Sequence, residues 1–184
     1  MKKNLSSRRR LLSQGARLAA AAALPMLTRP ARASAPGARA LAMSHTHTHE
    51  RIELVYADAH DYLPQSLQRL NHFLRDHYSG EVGRIDPPLF DILHGLRRVL
   101  GASGGYEIIS GYRCAATNER LRSTRGGGVA KRSLHMDGRA LDVRLSGVPL
   151  AELRDAAIEL GAGGVGYYPN EQFVHLDTGR VRRW

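Results

Sequence analysis

The spacing of apolar side chains predicts two amphipathic helices in the first half of the chain. Leu67, Leu70, Phe73 and Leu74 would share one face of a helix around residues 62–78. A second apolar face begins after a pair of prolines, a residue type that favours the first turn of a helix. That face consists of Leu89, Ile92, Leu93, Leu96, Val99 and Leu100.

The second half of the chain reads as short strands separated by short helices. The predicted strands are Tyr106–Ser110, 139–145, Val165–Tyr168 and Phe173–Leu176. The predicted helices are 116–122 and Pro149–Leu160. Gly161 is expected to end the second of these helices, and the glycines at 126–128 predict a mobile loop. Helices that come early and strands that come late indicate an α+β fold, with a mainly antiparallel sheet flanked by helices.

Histidine alternates with threonine in the segment His45-Thr-His47-Thr-His49. Alternating histidines are found in metal-binding tracts, but alternation and threonine also favour an exposed strand. We predict the strand, because the segment leads into the alternating stretch Ile52–Tyr56.

The first 33 residues have the three parts of a secretory signal peptide. A basic start is followed by an apolar stretch, Leu18–Leu27, and by the small-residue pattern Ala31-Arg32-Ala33. Ser7-Arg8-Arg9-Arg10-Leu11-Leu12 resembles a twin-arginine export signal, and the alternative is an arginine-rich general secretory leader. We therefore predict a signal peptide at 1–33, a flexible linker at 34–44 and one domain at 45–184, although cleavage near Ala40 or Ala42 is an alternative.

Most of the positive charge belongs to this leader. The formal net charge is +10, but residues 1–33 hold eight lysines or arginines and no acidic residue, which leaves 19 basic and 17 acidic residues in the remainder. A nucleic-acid partner is therefore not expected.

The lone Cys114 excludes an intrachain disulfide. After signal cleavage we expect a soluble protein without stable membrane insertion. The sequence does not predict its oligomeric state.

Two segments carry the residue types of a metal site. The first runs from Ser133 to Asp142 and contains His135, and the second is Phe173-Val-His175-Leu-Asp177. A catalytic zinc ion takes three protein ligands, mainly histidine and carboxylate, and keeps one position for water. His135, Asp142 and His175 meet that requirement. Taken alone the spacing is weak, since a loop histidine, a strand-end aspartate and a half-buried strand histidine would give the same pattern.

Four motifs together resemble those of the MepK type of murein endopeptidase, which belongs with the zinc D-Ala-D-Ala carboxypeptidases and the hedgehog-like zinc domains. These motifs are Ser110-Gly-Tyr-Arg113-Cys-Ala-Ala-Thr117-Asn118, Ala130–Asp142, Gly164-Val-Gly-Tyr-Tyr-Pro169 and Phe173–Arg180. The resemblance covers roughly residues 45–184. It implies that His135, Asp142 and His175 hold Zn²⁺, and that the zinc activates water for attack on a peptide carbonyl. It also implies that Arg113 steadies the developing oxyanion; the alternative for Arg113 is a surface ion pair.

The resemblance leaves the general base open. The wider group has Glu or Asp three residues before the last ligand, where this chain has Gln172. Side chains two apart on a strand share a face, so Asp177 would lie on the side of His175, as would Glu171 if the strand began that early. Asp177 is the preferred base, because the His-x-Asp pair is part of the resembling motif. The alternative role for Asp177 is to orient a ligand histidine, and Glu171 and Asp137 are the other candidate bases.

The function that the resemblance implies is that of a periplasmic zinc peptidase exported by the twin-arginine pathway. Its substrate would be peptidoglycan, cut at the cross-links between stem peptides, at meso-diaminopimelate. Two alternatives stay open: a carboxypeptidase that trims stem peptides, and a zinc-containing wall-binding module without catalysis.

Overall fold

The computed structural model describes residues 37–124 and 129–184. The signal peptide predicted at 1–33 and the mobile loop predicted at 126–128 lie outside the described residues, so these two predictions are not tested. Within the described ranges, no helix has both the length and the apolar character that a membrane span requires.

Seven strands and four helices make up the described part of the chain. The strands are β1 (Arg39–His45), β2 (Arg51–Ala57), β3 (Tyr106–Ser110), β4 (Ala140–Leu145), β5 (Gly164–Tyr168), β6 (Phe173–Asp177) and β7 (Arg182–Arg183). The helices are α1 (Pro64–Phe73), α2 (Pro88–Val99), α3 (Ala115–Thr124) and α4 (Leu150–Leu160), and a short 3-10 helix spans Leu134–Asp137.

All seven strands belong to one sheet, in the order β2-β1-β3-β4-β6-β5-β7. Four neighbouring pairs are antiparallel, and two pairs, β1 with β3 and β5 with β7, are parallel. The predicted α+β class with a mainly antiparallel sheet is therefore confirmed.

One face of the sheet carries the hydrophobic core. Alternate residues of the central strands are buried there, such as Leu141 and Val143 on β4 and Val174 and Leu176 on β6. Helices α2 and α4 pack against this face and against each other. Because neighbouring residues of a strand point to opposite faces, the intervening residues Asp142 and His175 belong to the face that these helices leave free.

The predicted helices and internal strands are present, with shifted ends. Prolines begin the first two helices, at Pro64 and Pro88. Gly161 ends α4 in the left-handed region, at a φ of 63°, as expected of a helix C-cap glycine.

The linker prediction fails over its second half. Strand β1 begins at Arg39, within the stretch 34–44 that was expected to be flexible. Leu41 and Met43 are buried in the core, and the backbone of β1 pairs with both β2 and β3. A domain that began at residue 45 would therefore lack this strand. The alanine-, proline-, glycine- and serine-rich composition of residues 34–44 hid its short alternating pattern.

The strand predicted over His45–Glu50 is also wrong. His45 is the last residue of β1, and residues 46–50 form the connection to β2. His45 N–H donates to the Glu50 carbonyl at 2.9 Å, and His49 N–H donates to the His45 carbonyl at 3.0 Å. His49 has a φ of 59°, which a continuous strand does not allow.

Candidate metal centre

Two of the predicted ligands face each other across neighbouring strands. Asp142 on β4 lies directly opposite His175 on β6 in the antiparallel register. The Asp142 Oδ1 and His175 Nδ1 atoms are 2.8 Å apart. The pairing of β4 with β6 therefore brings together residues that are 33 positions apart in the sequence.

The third predicted ligand, His135, reaches the same point from the 3-10 helix that precedes β4. Its Nε2 lies 3.3 Å from Asp142 Oδ1. Gly138 ends the 3-10 helix at a φ of 65°, and a Cβ there would run into the Arg84 carbonyl oxygen. One ligand atom from each of His135, Asp142 and His175 lies within 4.8 Å of the other two.

Each imidazole is held from behind by an acceptor. His135 Nδ1 lies 2.7 Å from the Gly111 carbonyl oxygen, and His175 Nε2 lies 3.1 Å from Asp177 Oδ2. Because a carbonyl oxygen only accepts, the His135 proton sits on Nδ1 and its Nε2 lone pair faces Asp142. Such backing acceptors fix ring orientation and tautomer at metal sites.

The centre is a buried group of opposite charges. His135 is 3% exposed and Asp142 is 6% exposed. Burial by itself would raise the pKa of Asp142, but the adjoining imidazoles outweigh it and hold that pKa far below its usual range. Burial would likewise lower the pKa of His175, but its bonds to Asp142 and Asp177 raise it to about 9. A divalent cation would displace the proton between His175 and Asp142, and this carboxylate and both imidazole nitrogens could then hold it.

Asp177 has no free oxygen facing the cleft. Its side chain is 0% exposed. Arg182 donates to both carboxylate oxygens, at 3.0 and 2.8 Å, and the Gly164 and Gly179 N–H groups donate to Oδ1 at 3.1 and 2.8 Å. Burial raises its pKa, but His175 and Arg182 outweigh this and lower the pKa well below the usual range. This environment does not suit a proton acceptor; it suits the alternative role, a carboxylate that orients a ligand histidine.

Arg113 stands beside the three ligands. Its Nη2 lies 3.9 Å from Asp142 Oδ2, and its guanidinium donates to Ser110 Oγ at 3.3 Å and to Asn118 Oδ1 at 3.4 Å. The side chain is 13% exposed, so the alternative of an exposed surface pair does not describe it. The bonds to Ser110 and Asn118 direct the charged fork toward the metal centre.

The centre opens into a cavity of about 560 Å³. Arg113, Arg132 and Arg182 give its wall positive charge, Glu171 contributes one exposed carboxylate, and Ser133 and His135 also line it.

The other candidate base, Asp137, is exposed and is not among the described residues that line this cavity. Gln172 lies in the β5–β6 turn with a φ of 60°.

One aromatic residue of the cavity wall, Trp184, was not predicted from the sequence. Trp184 is 51% exposed, and its ring centre lies 5.3 Å from that of His175. Its Nε1–H donates to Tyr168 Oη at 2.8 Å, and the Arg182 guanidinium lies 4.8 Å from its ring centre. The two-residue strand β7, which has no periodicity to detect, holds Trp184 here.

A small residue on β5 makes room for that wall. Gly166 pairs with His175 and therefore lies on the site face. A Cβ at Gly166 would come within 2.8 Å of the Trp184 ring. The alternation of glycine with larger residues in Gly164-Val-Gly166 was the available sequence signal that something packs against this strand.

Comparison with known proteins gives consistent matches. The model of the peptidase family described as peptidoglycan L,D-endopeptidase MepK matches residues 33–184. The peptidoglycan L,D-endopeptidase MepK of Escherichia coli strain K12 is 44% identical over 181 residues, 97% of each chain. The probable peptidoglycan L,D-endopeptidase MepK of Haemophilus influenzae is 39% identical over 155 residues, 84% of this chain and 83% of that protein.

A solved structure, the L-Ala D-Glu endopeptidase ChiX of Serratia marcescens, aligns over 42% of this chain and 62% of that one. The TM-score is 0.33 and the sequence identity is 19%, so this partial likeness carries no argument.

Proposed function

Because the chain belongs to the family of MepK-type peptidoglycan L,D-endopeptidases, we propose that it is a zinc-dependent endopeptidase that hydrolyses peptide cross-links between peptidoglycan stem peptides. The bond that we assign to it is one at meso-diaminopimelate. The observation that carries this proposal is the convergence of His135, Asp142 and His175 at the base of an open cavity.

The donor set fits zinc. Two imidazoles and one carboxylate form a ligand set of catalytic zinc sites, and both imidazoles have the backing acceptor that such ligands require. When bound, zinc supplies a Lewis acid that activates a water molecule and polarises the peptide carbonyl. The cavity at the centre, which Tyr168 and Trp184 also line, leaves space for the peptide.

The protein side chains then have distinct tasks. Arg113 stabilises the negative charge that develops on the carbonyl oxygen, because a guanidinium keeps its charge and presents a fixed fork of donors. Asp177 acts as a positioning residue that holds the His175 ring. The arginines of the cavity wall suit a substrate with free carboxylates, which peptidoglycan stem peptides carry.

The test is a digestion of defined muropeptides by the purified, zinc-loaded chain. Dimers linked between two diaminopimelate residues should be cut, and His135→Ala should abolish cleavage. His60→Ala, which changes an exposed histidine outside the site, serves as the matched control and should keep activity. The products are identified by mass spectrometry.

Other outcomes of this digestion would contradict the proposal. Loss of a terminal D-amino acid from monomeric stem peptides, with intact dimers, would make the protein a carboxypeptidase. Zinc at one equivalent or more and binding to the wall without any cleavage would make it a binding module.

We further propose export to the periplasm by the twin-arginine pathway. The support is Arg8-Arg9-Arg10 followed by two leucines and a weakly apolar stretch. Replacing these three arginines with lysine should keep the positive charge and leave the protein in the cytoplasm, as measured by cell fractionation. Unchanged periplasmic delivery would contradict this route.

A further inference from the structure

Three histidines away from the metal centre pack into a cluster. His45 and His47 lie at the β1–β2 connection, and His77 lies in the segment after α1. The ring centres of His45 and His77 are 5.5 Å apart, with planes at 64°. These values are close to the 5.1 Å and 67° of His135 and His175, the two imidazoles of the metal centre. The His47 ring lies flat on that of His77, at 4.1 Å and 4°.

The two inner histidines carry nitrogens that bond to nothing in the described structure. His45 is 1% exposed, and the Nε2 atoms of both His45 and His77 are buried without a hydrogen-bond partner among the described residues. A buried polar atom without a partner is unfavourable and needs an explanation. Nearby phenyl and phenol rings, those of Phe73 and Tyr78, offer neither nitrogen a strong acceptor.

We propose that His45, His47 and His77 form a second metal site, for a divalent transition metal ion that favours imidazole, such as Zn²⁺ or Ni²⁺. Three imidazoles are an established ligand set for zinc, and imidazole nitrogen suits nickel and copper as well. The site shares no residue with the first centre and does not depend on the proposed peptidase function.

Binding needs one local rearrangement. In the structure the His47 ring stacks on His77, and the three rings do not yet bring their nitrogens together as the ligands of the metal centre do. His47 is exposed, so its ring can turn without disturbing the core. His45 Nδ1 accepts the His47 N–H at 3.2 Å; when Nε2 gives its lone pair to the metal, the ring proton moves to Nδ1 and this contact is released.

The protonation state of the cluster supports binding at neutral pH. Burial, together with the nearby His47, lowers the pKa of His45 and that of His77 to about 4 each. Both rings are therefore neutral, as metal ligation requires. Glu50 and Asp76 are the nearby acidic groups and Arg75 and Arg113 the nearby basic ones.

The test is the zinc stoichiometry of the purified, metal-free chain, measured by equilibrium dialysis with Zn²⁺ alone. The wild type should bind two equivalents. His77→Phe should bind one, His135→Ala should bind one, and the double variant should bind none. His49→Ala changes another histidine of the same turn and should keep both equivalents.

Two further measurements keep the result interpretable. His47→Ala removes an exposed ligand and should also lose one equivalent, so a folding defect of His77→Phe would not decide the question. Retention of the equivalent that depends on His135 shows that a variant is folded. One equivalent in the wild type that is lost in His135→Ala, or two equivalents in both His47→Ala and His77→Phe, would overturn the second site.

Discussion

A chain of contacts extends behind the metal centre, from His175 through Asp177 to Arg182. The Asp177 carboxylate bonds to His175 on one side and to the Arg182 guanidinium on the other. Arg182 in turn lies against the Trp184 ring. A buried carboxylate in such a chain keeps the His175 ring in one orientation, so the ring nitrogen that faces Asp142 stays in place.

Replacing Asp177 with asparagine should therefore weaken metal binding. The amide cannot pair with the Arg182 charge, and its NH₂ group can face His175 Nε2, which would disturb the ring. We expect zinc affinity to fall by about 10- to 100-fold, as is typical for backing residues, measured by competition with a chromophoric chelator. A large drop in kcat with unchanged zinc affinity would instead assign Asp177 as the base.

The two arginines of β7, Arg182 and Arg183, provide a variant and a matched control that test the same role of Asp177. Arg182→Met removes the partner of Asp177 and should lower zinc affinity in the same direction. Arg183→Met changes an exposed neighbour on the same strand and should leave zinc affinity unchanged. Equal effects of the two variants would contradict a role that passes through Asp177.

Arg113 differs from Asp177 because it borders the cavity. Arg113→Lys keeps the charge but loses the planar fork, and we expect kcat/KM to fall by about 100- to 1000-fold, the effect of losing one oxyanion donor. Zinc content should not change. The exposed Arg122→Lys on α3 is the control, and a similar loss there would refute the assignment.

Among the elements, the pairing of β4 with β6 creates the site. In an antiparallel pair, alternate residues of both strands share a face. The apolar residues Leu141, Val143, Val174 and Leu176 turn toward the helices, which fixes the register and leaves Asp142 and His175 opposite each other. A shift of either strand by one residue would turn its polar residue toward the helices, so the apolar pattern helps to specify the metal centre.

This explains how much of the site could be predicted from the sequence. Asp142 and His175 lie in segments with clear apolar alternation, so their strands were predictable, and the motif resemblance named these two residues and His135. The backing acceptor Gly111 O was not predictable, because a backbone carbonyl has no residue signature. Trp184 was missed because its position depends on the parallel pairing of β5 with the two-residue strand β7.

Strand β1 was misjudged for a related reason. Its apolar residues are few, and residues 34–44 are rich in alanine, proline, glycine and serine, so composition suggested a linker. In the sheet, however, β1 lies between β2 and β3, and long-range pairing of this kind is invisible in a local window. The histidine tract was likewise expected to be a strand that leads into Ile52–Tyr56, whereas only His45 belongs to a strand and residues 46–50 form the turn between β1 and β2.

The role of β1 can be measured through its buried residues. Leu41 is 1% exposed, so Leu41→Ala should lower the free energy of unfolding by about 2–5 kcal/mol. Ala42→Ser, on the opposite face of the same strand, should change it by less than about 0.5 kcal/mol. Urea unfolding gives both values, and a neutral Leu41→Ala would support the linker interpretation instead.

For the whole molecule, the two faces of the sheet have separate tasks. The helices α2 and α4 bury the apolar face, which supplies most of the core. The other face carries the ligands, the cavity and its arginines. The metal centre therefore depends on a fold that is stabilised elsewhere, so we expect the metal-free chain to stay folded.

Zinc should nevertheless stabilise the folded chain, because a ligand that binds only the folded state shifts the unfolding equilibrium. At a free zinc concentration 1000 times Kd the gain is about 4 kcal/mol, which corresponds to a rise in Tm of roughly 10 °C for a chain of this size. Thermal unfolding with zinc and with a chelator measures this difference.

Variants show how much of the zinc-dependent rise in Tm comes from the metal centre and how much from the histidine cluster. His135→Ala removes one ligand of the metal centre, so most of the rise in Tm should disappear. If the histidine cluster also binds zinc, a smaller rise should persist in His135→Ala and vanish when His47→Ala is added. A full rise in His135→Ala would contradict the metal centre, since the remaining Asp142 and His175 cannot supply three ligands. The stabilisation then would have to come from elsewhere on the molecule.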